Sequence, residues 1–177
     1  MKKLFLIAMV FASMMLSTSE LHAQTAQSDL NQIELHKQHL GTWKSEYNDT
    51  TEVYVYTPYG KSGMQASFKK TYKGKILFQC HQLWGYDKHS NRMMVMQFEK
   101  TSPNATIFLS NFPSKNVNEI IPVIISDTEH IKKGVEEWKE VFTSHDVFLQ
   151  NHMVYNKTIR VRTFMRVNNE KESKKSR

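Results

Sequence analysis

From Thr42 onward the chain alternates with a period of two, in short stretches separated by turn residues. That pattern constrains the fold more than any other feature, because half-buried antiparallel strands alternate in this way and amphipathic helices do not. Thr42 to Tyr47 opens the series, and Asn48-Asp49 is a turn. Glu52 to Thr57 sets Val53 and Val55 against Tyr54 and Tyr56, and Pro58-Tyr59-Gly60 ends it. Met64, Ala66, Phe68 and Tyr72 share one face of the next stretch, and Lys73-Gly74-Lys75 turns it. Ile76, Phe78 and Cys80 continue toward Trp84, Met93 to Phe98 follows, and then Thr106 to Asn111. Val147 to Tyr155 and Thr158 to Val167 read as a closing hairpin over Asn156-Lys157.

The region between is less regular. Ile120 to Ile125 reads as a strand whose Pro122 belongs at an edge or a bulge. Ser126-Asp127-Thr128-Glu129 fits a capping box, and Ile131, Val135, Trp138 and Phe142 have helical spacing. Gly134 interrupts that helix and Ser144-His145-Asp146 fits a hairpin, so Val135 to Thr143 is expected as a strand. About eight to ten strands joined by short turns form an up-and-down meander. Such a sheet escapes open edges by closing into a barrel. A short helix from about Asp29 to His39, capped by Ser28 and ended by Gly41, should precede it.

The first residues read as a secretory signal. Lys2 and Lys3 precede the apolar run Leu4 to Leu16, then come Ser17 to Glu20 and Leu21-His22-Ala23. Residues 1–23 are expected to be removed, leaving Gln24 first. The apolar run is too short for a stable bilayer anchor, and no later stretch is apolar enough, so no transmembrane segment is expected after cleavage. The expected destination is the periplasm of a Gram-negative cell, or the exterior otherwise. The domain should span 28–167, and 168–177 reads as a disordered basic tail without apolar residues. The tail carries part of the net charge of +7. An exported chain does not ordinarily meet nucleic acid, so none is expected as a partner. The single cysteine, Cys80, forms no internal disulfide and reads as a buried small hydrophobe.

Gly41-Thr42-Trp43 after a short helix resembles the calycin superfamily: lipocalins, fatty-acid-binding proteins and the nitrobindin group. Gly85-Tyr86-Asp87 before a strand, and the ending Arg162-Thr163-Phe164-Met165-Arg166, are similar to small bacterial lipocalin-like proteins. The resemblance covers about Leu30 to Val167. It implies an all-β lipocalin-like barrel in which a late basic residue packs across Trp43. Arg166 is the first candidate and Arg162 the second. The Thr-Asp-Tyr motif of true lipocalins is absent. The late His-Leu pattern of haem barrels has only His152-Met153 in its place, so no cofactor is expected.

Methionines carry the candidate site. Met64, Phe68, Phe78, Met94, Met96, Phe98, Met153 and Met165 lie on expected strands, and such soft side chains suit a cavity for a flexible apolar ligand. They equally suit a filled core. In the last strand the apolar face Ile159, Val161, Thr163, Met165 and Val167 is expected inside, with Arg160, Arg162 and Arg166 outside. The opposite register resembles fatty-acid-binding proteins, whose Arg-x-Tyr pair holds a carboxylate, and would bury charges. His36 and His39 read as a solvated surface pair, and no metal site is expected. No nucleophile motif or phosphate loop occurs. These observations favour an exported, non-enzymatic barrel binding a small apolar or amphipathic molecule. An envelope enzyme with Asp87 and His89 as acid–base groups, and a filled-barrel interaction module, are the alternatives.

Overall fold

The computed structural model describes residues 30–102, 105–125 and 131–167, with backbone alone at 124–125 and 131–133. The expected signal sequence, the Ser28 cap, the Ser126–Glu129 capping box and the basic tail lie outside the described residues. A short helix, α1 (Gln32–His36), tightens into a 3₁₀ turn at Lys37–His39. Eleven strands follow: β1 (Gly41–Tyr47), β2 (Thr50–Tyr59), β3 (Gly63–Tyr72), β4 (Lys75–Asp87), β5 (Arg92–Glu99), β6 (Ala105–Ser114), β7 (Val117–Ile125), β8 (Ile131–Lys133), β9 (Glu136–Ser144), β10 (Val147–Val154) and β11 (Lys157–Arg166). Every pairing is antiparallel between neighbours, and β1 closes on β11. Ten strands form the closed up-and-down barrel, and the three-residue β8 is a flap on β7. Among the described residues no helix is long and apolar enough to cross a membrane.

The turn chemistry explains the meander. Asn48-Asp49, Lys73-Gly74 and Tyr155-Asn156 each place two successive residues at positive φ, as two-residue hairpin turns require. The last of these lies one residue before the expected Asn156-Lys157. Residues 136–144 are a strand, as the Gly134 interruption implies. Pro122 stands where β7 leaves β9 after Ile120↔Trp138 and meets β8 at Val123↔Lys133. Its missing N–H therefore costs no ladder bond to either, and its carbonyl takes the Gly134 N–H at 2.8 Å.

One end of the barrel is packed shut with rings. Trp43 is fully buried, its ring 4.8 Å from Phe148, which stacks on Phe164 at 4.9 Å. The Trp43 indole N–H donates to the His39 carbonyl at 2.7 Å, tying β1 to the preceding turn. The β1–β11 seam has only two residue pairs, Trp43↔Arg166 and Lys44↔Met165, and Arg166 reinforces it. Its guanidinium lies 4.2 Å from the Trp43 ring and donates to the carbonyls of Leu40, Gln38 and His145. Gly41, at φ 114°, leaves the space: a Cβ there would lie 2.7 Å from Arg166 Nη1. Arg166→Lys keeps the charge but loses the planar fork, and is expected to cost about 1–3 kcal/mol in urea unfolding. An unchanged midpoint would show that the clasp contributes nothing.

The inward faces of two strands differ from expectation. Residues directly opposite on antiparallel strands share a face, so Arg166 beside Trp43 brings Phe164 and Arg162 inward. Phe164 and Arg162 are buried, whereas Ile159, Val161 and Met165 are exposed. The feared penalty for a buried arginine is met by Glu52, which pairs with Arg162. On β5, Met93 and Val95 oppose Tyr86 and Trp84 and are buried, which turns Met94, Met96 and Phe98 outward.

Candidate functional site

Above the ring-packed end, the inward side chains stop short of one another and leave a cavity of about 670 Å³. Two aromatic rows line it. Tyr56, Tyr54, Phe68 and Phe78 run along β2, β3 and β4, with successive ring centroids 5.5, 4.3 and 5.9 Å apart. Phe108 and Trp138, on β6 and β9, lie 5.7 Å apart, and Trp138 stacks on His152 at 5.0 Å. Each row arises because every second residue of a strand faces the lumen.

Polar side chains interrupt these rows in three groups. On β1, β2, β3 and β11, Glu52 holds the Arg162 guanidinium, the Tyr47 hydroxyl at 2.9 Å and Lys70 at 3.5 Å. Glu52 is 1% exposed, and among the described residues its Oε2 has no hydrogen-bond partner. Arg160 lies two residues before Arg162 on the same face, with its Nη2 3.4 Å from His152 Nδ1. On β4 and β5 a ladder runs from the Trp84 indole N–H to Gln82 at 3.1 Å, from Gln82 to Gln97 at 2.8 Å, and from Gln97 to Glu99 at 3.4 Å.

The third group forms the floor. Glu140 accepts from His39 at 2.7 Å, Asn118 at 3.0 Å and Gln150 at 3.0 Å. Its carboxyl is held below the usual range: burial opposes ionisation, but the His39 charge and these donors prevail. Both His39 ring nitrogens face oxygens that only accept, Glu140 and the His36 carbonyl at 3.1 Å, the arrangement of a ring carrying both protons. His36 donates to the Gln32 carbonyl at 2.7 Å, and the single Ser110 hydroxyl proton is shared between His36 Nε2 at 3.0 Å and the Asn118 side-chain oxygen at 2.8 Å. Burial, then the neighbouring His39, lower the His36 pKa to about 3. His36 and His39 are thus a buried core pair, not the expected solvated one. They face the barrel because α1 and the 3₁₀ turn plug its closed end.

A neutral buried histidine that ionises readily when unfolded makes the unfolded state bind more protons. Stability from His36 is therefore complete above about pH 6.5 and is lost as pH falls toward 3. Between pH 7 and pH 5 the loss is expected to be about 2 kcal/mol. Urea midpoints of wild type and His36→Gln at the two pH values check this, and parallel changes in both proteins would refute it.

Of the candidate ligand residues, Phe68 and Phe78 line the cavity. Met64 is buried at the closed end beside Met93, in a recess below α1. Met153 is half-buried and lines no part of the cavity. Met94, Met96, Phe98 and Met165 are on the outer surface, because their strands present the neighbouring residues inward. Asp87 lies beyond Trp84, away from Phe78, and its carboxylate accepts from the Ser90 hydroxyl and the His89 and Ser90 amides. Those bonds lower its pKa and make it a turn former. Cys80 is buried, and desolvation pushes its thiol up to about 12. Among the described residues no group of three or more His, Cys, Asp or Glu could hold a metal ion.

Sequence reasoning missed Glu52, Gln82, Gln97, Glu140 and the inward Arg162. The signal was available in β2, where apolar Val53 and Val55 oppose a face of Glu52, Tyr54 and Tyr56. Tyrosines with an acid mark a polar cavity as readily as an exterior. No family model, curated protein or solved structure matches this chain.

Proposed function

We propose that the chain is an exported, lipocalin-like member of the calycin group that binds a small amphipathic molecule with an acidic group inside the barrel. The observation that carries this reading is the 670 Å³ cavity whose aromatic rows meet a cluster of three basic side chains, Lys70, Arg160 and Arg162. A volume of that order suits a small-molecule ligand. In that cluster Lys70 and Arg162 pair with Glu52, and Arg160 reaches His152, while Glu99, Glu136 and Glu140 also line the cavity. Among the described residues Nη1 is the one Arg162 nitrogen with a hydrogen-bond partner, which leaves guanidinium donors for a ligand anion. The aromatic rows supply apolar area for the rest of the molecule.

Titration with 1-anilinonaphthalene-8-sulfonate, a fluorescent acidic amphiphile, tests the reading. The Glu52→Gln/Arg162→Gln double variant removes both members of the buried ion pair and leaves only Lys70, which is partly exposed, without its carboxylate. It is expected to unfold cooperatively and to bind the dye at least about tenfold more weakly, the loss of one charged hydrogen bond. Equal affinity in the two proteins would place the acidic group elsewhere.

A further inference from the structure

The cavity's walls also discriminate between kinds of acidic amphiphile. A flexible acyl chain needs a continuous apolar lining, because each methylene laid against a polar group strips that group of water without replacing its hydrogen bond. Here the Gln82–Gln97–Glu99 ladder crosses one wall, and Glu140 with Gln150 forms the floor. The ladder is itself only half used. Among the described residues each of the Gln82 and Gln97 amide nitrogens donates one hydrogen bond, and a primary amide has two N–H groups to give. Both amides line the cavity, so the second N–H groups and the spare carbonyl lone pairs are available to a ligand edge. Their anchors fix the orientation: the Trp84 indole N–H can only donate, so it sets the Gln82 oxygen, which directs the Gln82 nitrogen to Gln97. The wall therefore presents a preset order of donors and acceptors.

The apolar surfaces are flat as well as aromatic. Tyr54 and Phe68 sit 4.3 Å apart with planes 31° from parallel, and Phe108 and Trp138 face the lumen from the other side of the ring of strands. Rings offer faces to other rings at low cost in conformational entropy, and a rigid planar ligand likewise loses little freedom on binding.

Building on the amphiphile reading above, we propose that the ligand is a fused planar heteroaromatic acid. Its ring lies between the two aromatic rows, its amide-like edge pairs with Gln82 and Gln97, and its acidic group meets Arg162 and Lys70. A long-chain fatty acid is the wrong shape and leaves the ladder unpaired.

Three acids compared on the wild-type protein test this by tryptophan fluorescence quenching and calorimetry. Pterin-6-carboxylate has the fused ring, the amide-like edge and the carboxylate. Naphthalene-2-carboxylate keeps ring and acid but lacks the edge, and decanoate keeps only the acid and an apolar chain. The expected order is pterin-6-carboxylate tightest, by at least about tenfold over naphthalene-2-carboxylate, with decanoate weakest. Gln97→Leu should weaken the pterin acid at least about tenfold and leave the naphthalene acid within about twofold. Should Gln97→Leu fail to unfold cooperatively, the wild-type ranking decides alone. A naphthalene acid bound as tightly as the pterin acid would overturn the role of the amide ladder. Decanoate binding tightest would overturn the planar ligand and leave the acidic-amphiphile reading standing. Binding of none of the three, by a protein that also fails to bind the anilinonaphthalene dye, would overturn both.

Discussion

Trp43→Ala is expected to destabilise the barrel by about 3–5 kcal/mol, the cost of deleting a fully buried large ring. The effect has three sources. The indole is wholly shielded and packs on Phe148, its N–H is spent on the His39 carbonyl, and the Arg166 guanidinium lies over its ring. The two-pair β1–β11 seam depends on all three contacts. A denaturation midpoint unchanged within error would mean that the barrel closes without this residue.

Glu140→Leu is expected to cost a similar amount, about 3–5 kcal/mol, for a different reason. Leucine fits the space but strands the buried His39 charge and leaves the donors of Asn118 and Gln150 unpaired. Glu140→Gln keeps an acceptor for His39 and should cost less, about 1–3 kcal/mol. Equal losses in the two variants would show that side-chain volume, not charge pairing, matters at the floor. A wild-type midpoint in Glu140→Leu would remove the electrostatic account of the floor altogether.

The sequence made the architecture readable because strand existence depends on local signals. Alternation, Asn48-Asp49, Lys73-Gly74 and the Gly134 break each act within a few residues, and each corresponds to an observed turn or strand. The choice of inward face does not act locally. Val161 and Met165 on one side of β11, and Arg162 and Phe164 on the other, each offer a plausible core until the partner of Arg162 is known, and Glu52 lies 110 residues away. If Arg166 covers Trp43, cross-strand geometry puts both on the same face, and Phe164 and Arg162 must follow Arg166 inward. A Trp43–Arg166 clasp and an inward Val161 exclude one another.

The same logic explains the methionines. Met94 and Met96 alternate with Met93 and Val95, so hydrophobicity alone gives β5 no preferred face. The tie is broken by Tyr86 and Trp84 on β4, which lie opposite Met93 and Val95 and point into the barrel. The candidate site was therefore readable at Phe68 and Phe78, whose strands have one clearly apolar face near those residues, and not at its polar members. Buried Glu52, Glu140 and Arg162 become intelligible only as paired groups, and their partners come from distant strands.

If the barrel interior is a binding cavity and not a filled core, filling it must abolish uptake of a ligand. Thr106 lines that cavity, opposite Gln97 on β5, and Thr106→Trp places a large ring in the lumen. Saturation binding of 1-anilinonaphthalene-8-sulfonate to the two proteins, read by energy transfer from tryptophan, separates the two cases. Wild type should take up one dye per chain with a defined endpoint, and Thr106→Trp should retain cooperative unfolding but lose that saturable site. Indistinguishable binding by the two proteins, or no saturable site in wild type, would contradict a binding cavity.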